Sequence, residues 1–298
     1  MAGWGRGRLT AGGKRLEYAC WGPPPGDAPT LLLLHEGLGC VALWRDVPER
    51  LAAATGCGVV AYSRAGYGRS DPAELPRPLD YMTREAADVL PEVLAALAVR
   101  DVILIGHSDG ATIAAEYAGR VTDDRLRGLV LIAPHFFTEP SGLSEIAAAR
   151  KAYVTSELRG RMAKYHRDPD NAFFGWNDAW LAEGFKSWNV AKVIDSWQVP
   201  CLAVQGAADQ YGTLAQIREI EARSPKPVET LIMDGAHHAP HVEKPDEMLP
   251  ALAGFCIRQL DAPLASAAAA AVIPSPRHAM HDIAPTGVGQ VPRKPGTF

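Results

Sequence analysis

The stretch DVILIGHSDGATIAAEYAG, residues 101–119, runs from an apolar segment through three polar side chains into an alanine-rich segment. Gly106 and Gly110 bracket His107, Ser108 and Asp109. The apolar run reads as a strand buried on both faces, and the segment after it has the composition of a helix. A sharp turn between the two pushes the side chain at its apex out above the sheet. Side chains two positions before and after that apex would run into neighbouring elements, so glycine suits both places. Ser108 occupies the apex and is the candidate nucleophile. His107 is read as structural, directed away from Ser108, while Asp109 offers its backbone N–H.

A serine hydroxyl needs a base to take its proton and a carboxylate to orient that base. Further along, GAADQYG (206–212) supplies Asp209 and HHAPHVEKP (237–245) supplies His238, each just past an apolar strand. His237 is the rival base and Asp234 the rival acid; an Asx turn is the alternative role for Asp209. His241 is expected to make a structural hydrogen bond in its loop. Three histidines at 237, 238 and 241 have a metal-like spacing, but Pro240 prevents a regular helix there and no cysteine or carboxylate cluster accompanies them. No metal or other cofactor is expected.

Outward from this centre the pattern repeats. A hairpin is expected over residues 9–21, then buried strands in TLLLLHEGLGC and GVVAYSRAGYGRS, separated by a helix in WRDVPERLAAAT. TREAADVLPEVLAALAV reads as a helix capped by Thr83, and RLRGLVLIAPH as the strand after the central helix. Strands alternating with helices predict a mostly parallel α/β sheet with right-handed crossovers. Residues 135–197 break the rhythm: they hold no buried strand, but five of the seven phenylalanines and four of the seven tryptophans. The α/β pattern returns over 198–261. The reading is a core of 1–134 and 198–261, a helical insertion at 135–197, and a disordered tail at 262–298 with six prolines and an alanine run.

LLLLHEGLG (31–39), SRAGYGRSDP (63–72), GHSDG (106–110), GAADQYG and HHAPHVEKP together resemble the α/β-hydrolase superfamily over roughly residues 15–260. That resemblance implies the α/β-hydrolase fold, a parallel twisted sheet flanked by helices, with the insertion as a lid. GHSDG would be the nucleophile elbow, and the chain order Ser, Asp, His implies a triad of Ser108, Asp209 and His238. A tetrahedral intermediate needs two N–H donors. The resemblance implies Asp109 for one and Gly37 for the other, with Leu38 the alternative. Glu36 stands where the family commonly has glycine. Glu36 and Asp109 either point away into local hydrogen bonds, or one is held protonated or contacts a polar substrate group.

Within the insertion, Phe136, Phe137, Trp176, Trp180 and Trp188 are candidate walls for an apolar or aromatic substrate, and packing of the lid is the alternative role. Arg150, Lys151, Arg159, Arg161, Lys164 and Arg167 could receive a carboxylate or CoA phosphate, or form a solvated face. A net charge of −4 over 298 residues gives no basic field for nucleic acid or membrane. The first 22 residues lack the apolar core of a secretory signal, and five scattered cysteines without CxxC spacing fit a reducing compartment. A cytoplasmic monomer or homodimer acting on a small molecule is expected. The leading activity is hydrolysis of a small ester, thioester or related carbonyl substrate. A triad-dependent lyase or synthase of the menaquinone-pathway type, and a small-molecule receptor on the same scaffold, are the alternatives. Serine rather than aspartate at 108 argues against dehalogenases and epoxide hydrolases.

Overall fold

Leu31, Leu32, Leu33 and Leu34 face alternately into two apolar layers, which is why four consecutive positions carry no polar side chain. Leu32 and Leu34 lie with Val60, Tyr62, Leu104 and Leu129 on one side of the sheet. Leu31 and Leu33 lie with Val59, Ala61, Ile103 and Ile105 on the other. Each such side chain removed from water contributes about 1.5–3 kcal/mol, and a sheet covered on both faces gains this along every strand.

The computed structural model describes residues 5–261, so the tail expected at 262–298 lies outside the described residues. Eight strands form one sheet: β1 (Arg6–Ala11), β2 (Lys14–Trp21), β3 (Thr30–Leu34), β4 (Gly58–Tyr62), β5 (Val102–His107), β6 (Leu126–Ile132), β7 (Cys201–Gly206) and β8 (Val228–Met233). Their order is β1-β2-β4-β3-β5-β6-β7-β8. The β1–β2 hairpin and the β2–β4 pairing are antiparallel; all other pairings are parallel.

Helices α1 (Val47–Thr55), α2 (Tyr81–Arg84), α3 (Leu90–Ala96) and α4 (Asp109–Arg120) precede β6. Between β6 and β7 come α5 (Pro140–Thr155), α6 (Leu158–Met162) and α7 (Pro169–Leu181). Then follow α8 (Ala215–Arg223), α9 (Pro240–Glu243) and α10 (Pro245–Asp261). Val47 and Leu51 of α1 join Met248, Leu252 and Phe255 of α10 in one layer. Helices α3, α4 and α8 build the opposite layer, which runs on into the segment between β6 and β7.

One helix boundary differs from the sequence reading. The helix expected to be capped by Thr83 begins at Tyr81, and the Thr83 hydroxyl instead donates to Glu116 of α4 at 3.0 Å. A wide π turn over Glu85–Val89 joins α2 to α3. Pro91, just past it, has no N–H to give and would crowd a regular preceding turn, and the wider turn accommodates it.

Candidate active site

Strand β5 ends at His107, and α4 begins at Asp109, so a single residue turns the chain. That residue is Ser108, at φ 54° and ψ −118°, a conformation L residues adopt only when their surroundings enforce it. A β-carbon on Gly106 would lie 2.2 Å from the Gly110 carbonyl oxygen, and one on Gly110 would lie 2.0 Å from that of Leu34. Both glycines are therefore required by backbone on the far side of the contact. The Ser108 N–H is tied to the Ile132 carbonyl at 2.9 Å, fastening the turn to β6.

Asp209 follows β7, and its side chain is 1% exposed. Its Oδ1 accepts from the backbone N–H groups of Tyr211 (2.8 Å) and Gly212 (3.3 Å). Its Oδ2 accepts from Gln205 at 2.7 Å and from His238 Nδ1 at 2.8 Å. The turn role and the histidine-orienting role are thus filled by one carboxylate using different oxygens. Burial opposes its charge, but the bond from His238 and those from the backbone outweigh burial and hold the carboxyl below its usual range. Asp234 is exposed, and its carbonyl accepts from Lys244. His237 is exposed beside Glu243, which also accepts from the backbone N–H groups of His237 and Ala239.

Ser108 and His238 line one cavity of about 270 Å³, with Glu36, Gly37, Leu38 and His107 on the side of the β3 loop. Leu143, Ile146, Trp176 and Trp180 form its apolar wall, and His135, Glu139 and Tyr211 complete it. The Trp176 indole lies so close over Gly37 that a β-carbon there would meet its Nε1 at 2.2 Å. Trp180 donates to Tyr81, and Tyr81 donates to Asp109, so α7 is fixed to the base of the elbow.

Phe136, Phe137 and Trp188, expected on the same wall, lie elsewhere. Phe136 is buried against Trp197, Phe137 pairs by backbone with Asn189, and Trp188 stacks on Phe185 at 4.9 Å. These rings pack the helical segment rather than face the cavity. Two of the cations of that segment are engaged elsewhere: Arg159 pairs with Asp170 and Arg150 with Asp178. Among the described residues, no lysine or arginine lines the cavity.

The loop after β3 is held from behind. Arg64, 2% exposed, donates to the carbonyls of His35 and Glu36, the latter at 3.0 Å. The Glu36 carbonyl also accepts from His35 Nδ1 at 2.7 Å and from the Gly39 N–H at 3.1 Å. Asp109 points into this interior, away from the cavity, with Arg64 3.8 Å away; burial raises its carboxyl above the usual range despite that charge. Glu36 turns the other way, onto the cavity wall, with its side chain 28% exposed. Burial would raise its carboxyl too, but the adjoining His107 imidazole outweighs burial and holds it ionised.

Several of these groups escaped sequence reasoning. His135 lies 5.6 Å from His238, ring to ring, and Tyr211 lies 4.7 Å from it. The signal for both was position, since each lies in the loop after the carboxyl end of a parallel strand, where such sheets bind ligands. His107, read as structural and directed away from Ser108, is buried, lines the cavity with Ser108, and donates from Nε2 to the His238 carbonyl at 2.7 Å. His241 makes ring contacts with His107 (4.6 Å) and Trp44 (5.1 Å), and its Nδ1 has no hydrogen-bond partner among the described residues.

Burial keeps His35, His135 and His241 uncharged, with His135 lowered to about 3. An unfolded chain takes up these protons below about pH 6.5, whereas the folded chain does not. The unfolded state then binds more protons, so stability is full above that pH and falls as pH drops toward about 3. Each histidine contributes up to about 1.4 kcal/mol per pH unit in that window. Urea midpoints at about pH 7 and pH 5 should differ, the acidic one being lower; equal midpoints would contradict neutral burial.

An open, mostly parallel sheet with this strand order, carrying its polar site at the carboxyl ends of the strands, defines an α/β-hydrolase fold. The chain belongs to the Alpha/beta hydrolase family, whose sequence profile matches residues 31–251. It is 29% identical over 227 residues to a non-heme chloroperoxidase of Streptomyces lividans, covering 71% of this chain and 73% of that one. Its fold is similar to an enol-lactonase from Burkholderia xenovorans LB400 (TM-score 0.66, 18% identity, 84% and 99% of the two chains). It is also similar to the esterase RhEst1 from Rhodococcus sp. ECU1013 (TM-score 0.65, 20% identity, 86% and 99%). Among the described residues, no helix is long and apolar enough to cross a membrane.

Proposed function

We propose that the chain is a serine hydrolase in which Ser108, His238 and Asp209 act as nucleophile, base and orienting acid on a small ester, thioester or related carbonyl compound. The observation that carries this reading is the 2.8 Å bond to a buried Asp209 from Nδ1 of His238, which lines the same cavity as Ser108. With Nδ1–H held by Asp209, Nε2 carries the lone pair that takes the Ser108 proton as Oγ attacks the carbonyl carbon. The resulting oxyanion is received by the backbone N–H groups of Asp109, at the start of α4, and of Gly37. Protonated His238 gives its proton to the leaving group as the acyl-enzyme forms. It then takes a proton from water, whose attack releases the acid and restores Ser108.

A cavity of about 270 Å³ lies just under the ~300–1,000 Å³ of typical ligand sites, which favours a short acyl group. Leu143, Ile146, Trp176 and Trp180 suit an apolar or aromatic one. The helices between β6 and β7 serve as the lid in this reading. The test is fluorophosphonate labelling together with turnover of short p-nitrophenyl esters. Wild type is expected to label and turn over, and Ser108→Ala to do neither. Folded wild type that stays unlabelled would remove the activated serine.

A further inference from the structure

Strand β7 reads CLAVQG, and Gln205 is the one amide in this otherwise apolar run, 1% exposed. Its Nε2 donates to Asp209 Oδ2 at 2.7 Å and to the Gly212 carbonyl at 3.0 Å, so both amide hydrogens are used. Turning the amide over would set its oxygen against the same two acceptors, and the partners therefore fix its orientation. That orientation leaves Oε1 buried with no hydrogen-bond partner among the described residues. An apolar residue of similar volume would strand no polar atom here. The strand thus carries an unfavourable buried acceptor in order to deliver a donor to one carboxylate oxygen.

That oxygen is the one His238 uses. Asp209 Oδ1 takes the N–H groups of Tyr211 and Gly212, while Oδ2 divides its charge between Gln205 and His238 Nδ1. Each donor on a carboxylate disperses its charge and so weakens its hold on the other donors. Without Gln205, Oδ2 would meet His238 alone and hold the Nδ1–H, and the charge of an imidazolium, more firmly. The ring would then keep its second proton to a higher pH and give it to a leaving group less readily.

We propose that Gln205 is a positioning residue that, through Asp209, sets the pH at which His238 becomes free to act as a base. The inference rests on the triad of the function proposed above. Other groups also face this pair. The rings of Tyr211 (4.7 Å), His107 (5.1 Å) and His135 (5.6 Å) surround that of His238, and His241 lies against His107. Glu36 shares the cavity wall with His238, and Arg218 of α8 lines a polar hollow that Asp209 borders. All of them are the same in wild type and in a Gln205 variant, so a difference between the two profiles reports the amide.

The test is the pH dependence of kcat/KM for a short p-nitrophenyl ester in wild type and in Gln205→Met, which keeps about the same length and volume and offers no donor. The acid limb is expected to lie about half to one pH unit higher in the variant. A limb that stays in place, with the rate lowered evenly at every pH, would make Gln205 structural only and overturns the proposal. If the methionine variant does not fold, wild type decides. In 1H–15N spectra the Gln205 side-chain amide should shift as the ring resonances of His238 titrate, because the oxygen it donates to shares its charge with that ring. An amide indifferent to that titration overturns the proposal. Wild type that neither labels with fluorophosphonate nor turns over ester, yet shows the coupled shift, keeps the Gln205 linkage and loses the hydrolase reading. Labelling and turnover with an unmoved limb lose the linkage alone.

Discussion

Replacing His238 with glutamine is expected to lower kcat for a p-nitrophenyl ester by about ten-thousand-fold, with KM little changed. Glutamine preserves approximate size and polarity, so Asp209 keeps a donor and the cavity keeps its wall. It has no titratable nitrogen with which to take the Ser108 proton. Fluorophosphonate labelling should fall in parallel, because the same proton transfer activates the serine toward phosphorus. Asp209→Asn should show a comparable loss for another reason. An asparagine amide facing Nδ1 favours the tautomer with its proton on Nε2, which removes the base from the serine side. The two variants separate by pH: the asparagine enzyme should regain rate as pH rises, and the glutamine enzyme should not. A His238→Gln enzyme with more than a tenth of wild-type kcat would end the proposed mechanism.

Gly110→Ala is expected to destabilise the fold by about 3 kcal/mol or more. The added carbon would meet the Leu34 carbonyl oxygen at 2.0 Å and that of His35 at 2.7 Å. Both obstacles are backbone of the central β3 strand and its loop, so no side-chain rotation relieves them. Either β5 and α4 separate from β3 or the elbow opens, and the urea midpoint should fall with the soluble yield. Gly160→Ala is the matched control, since a β-carbon there has only the flexible end of Glu157 near it, at 3.7 Å. Equal midpoints for the two variants would mean that the elbow tolerates what its geometry forbids.

The fold was legible because its signals are local. Runs such as LLLL and VILI can be satisfied only between two apolar layers, and glycines two residues either side of a serine report a turn directly. Chain order then indicated where an acid and a histidine would meet, and Asp209 and His238 do lie in contact. The cavity wall was less legible, because which face of an inserted helix looks inward depends on its partners. Trp176 and Trp180, four apart on α7, reach the cavity, whereas Phe136 and Trp188 find other rings first. The meeting of Glu36 with His107 depends on strand order, and no spacing along the chain announces it. The early start of the helix at Tyr81 was missed because a π turn leaves no periodic trace in so short a segment.

The grip of Arg64 on the loop after β3 has a consequence for direction as well as for rigidity. A peptide unit is planar and trans, so its carbonyl and the following N–H point to opposite sides. Three donors hold the Glu36 carbonyl on the Arg64 side of the loop, which turns the Gly37 N–H to the opposite side, as its proposed oxyanion role requires. The guanidinium thus sets the polarity of a surface it never touches. Rotating that one plane by half a turn would offer the cavity a carbonyl in place of a donor, and the same walls would then hold a carbonyl substrate without being able to receive its negative charge.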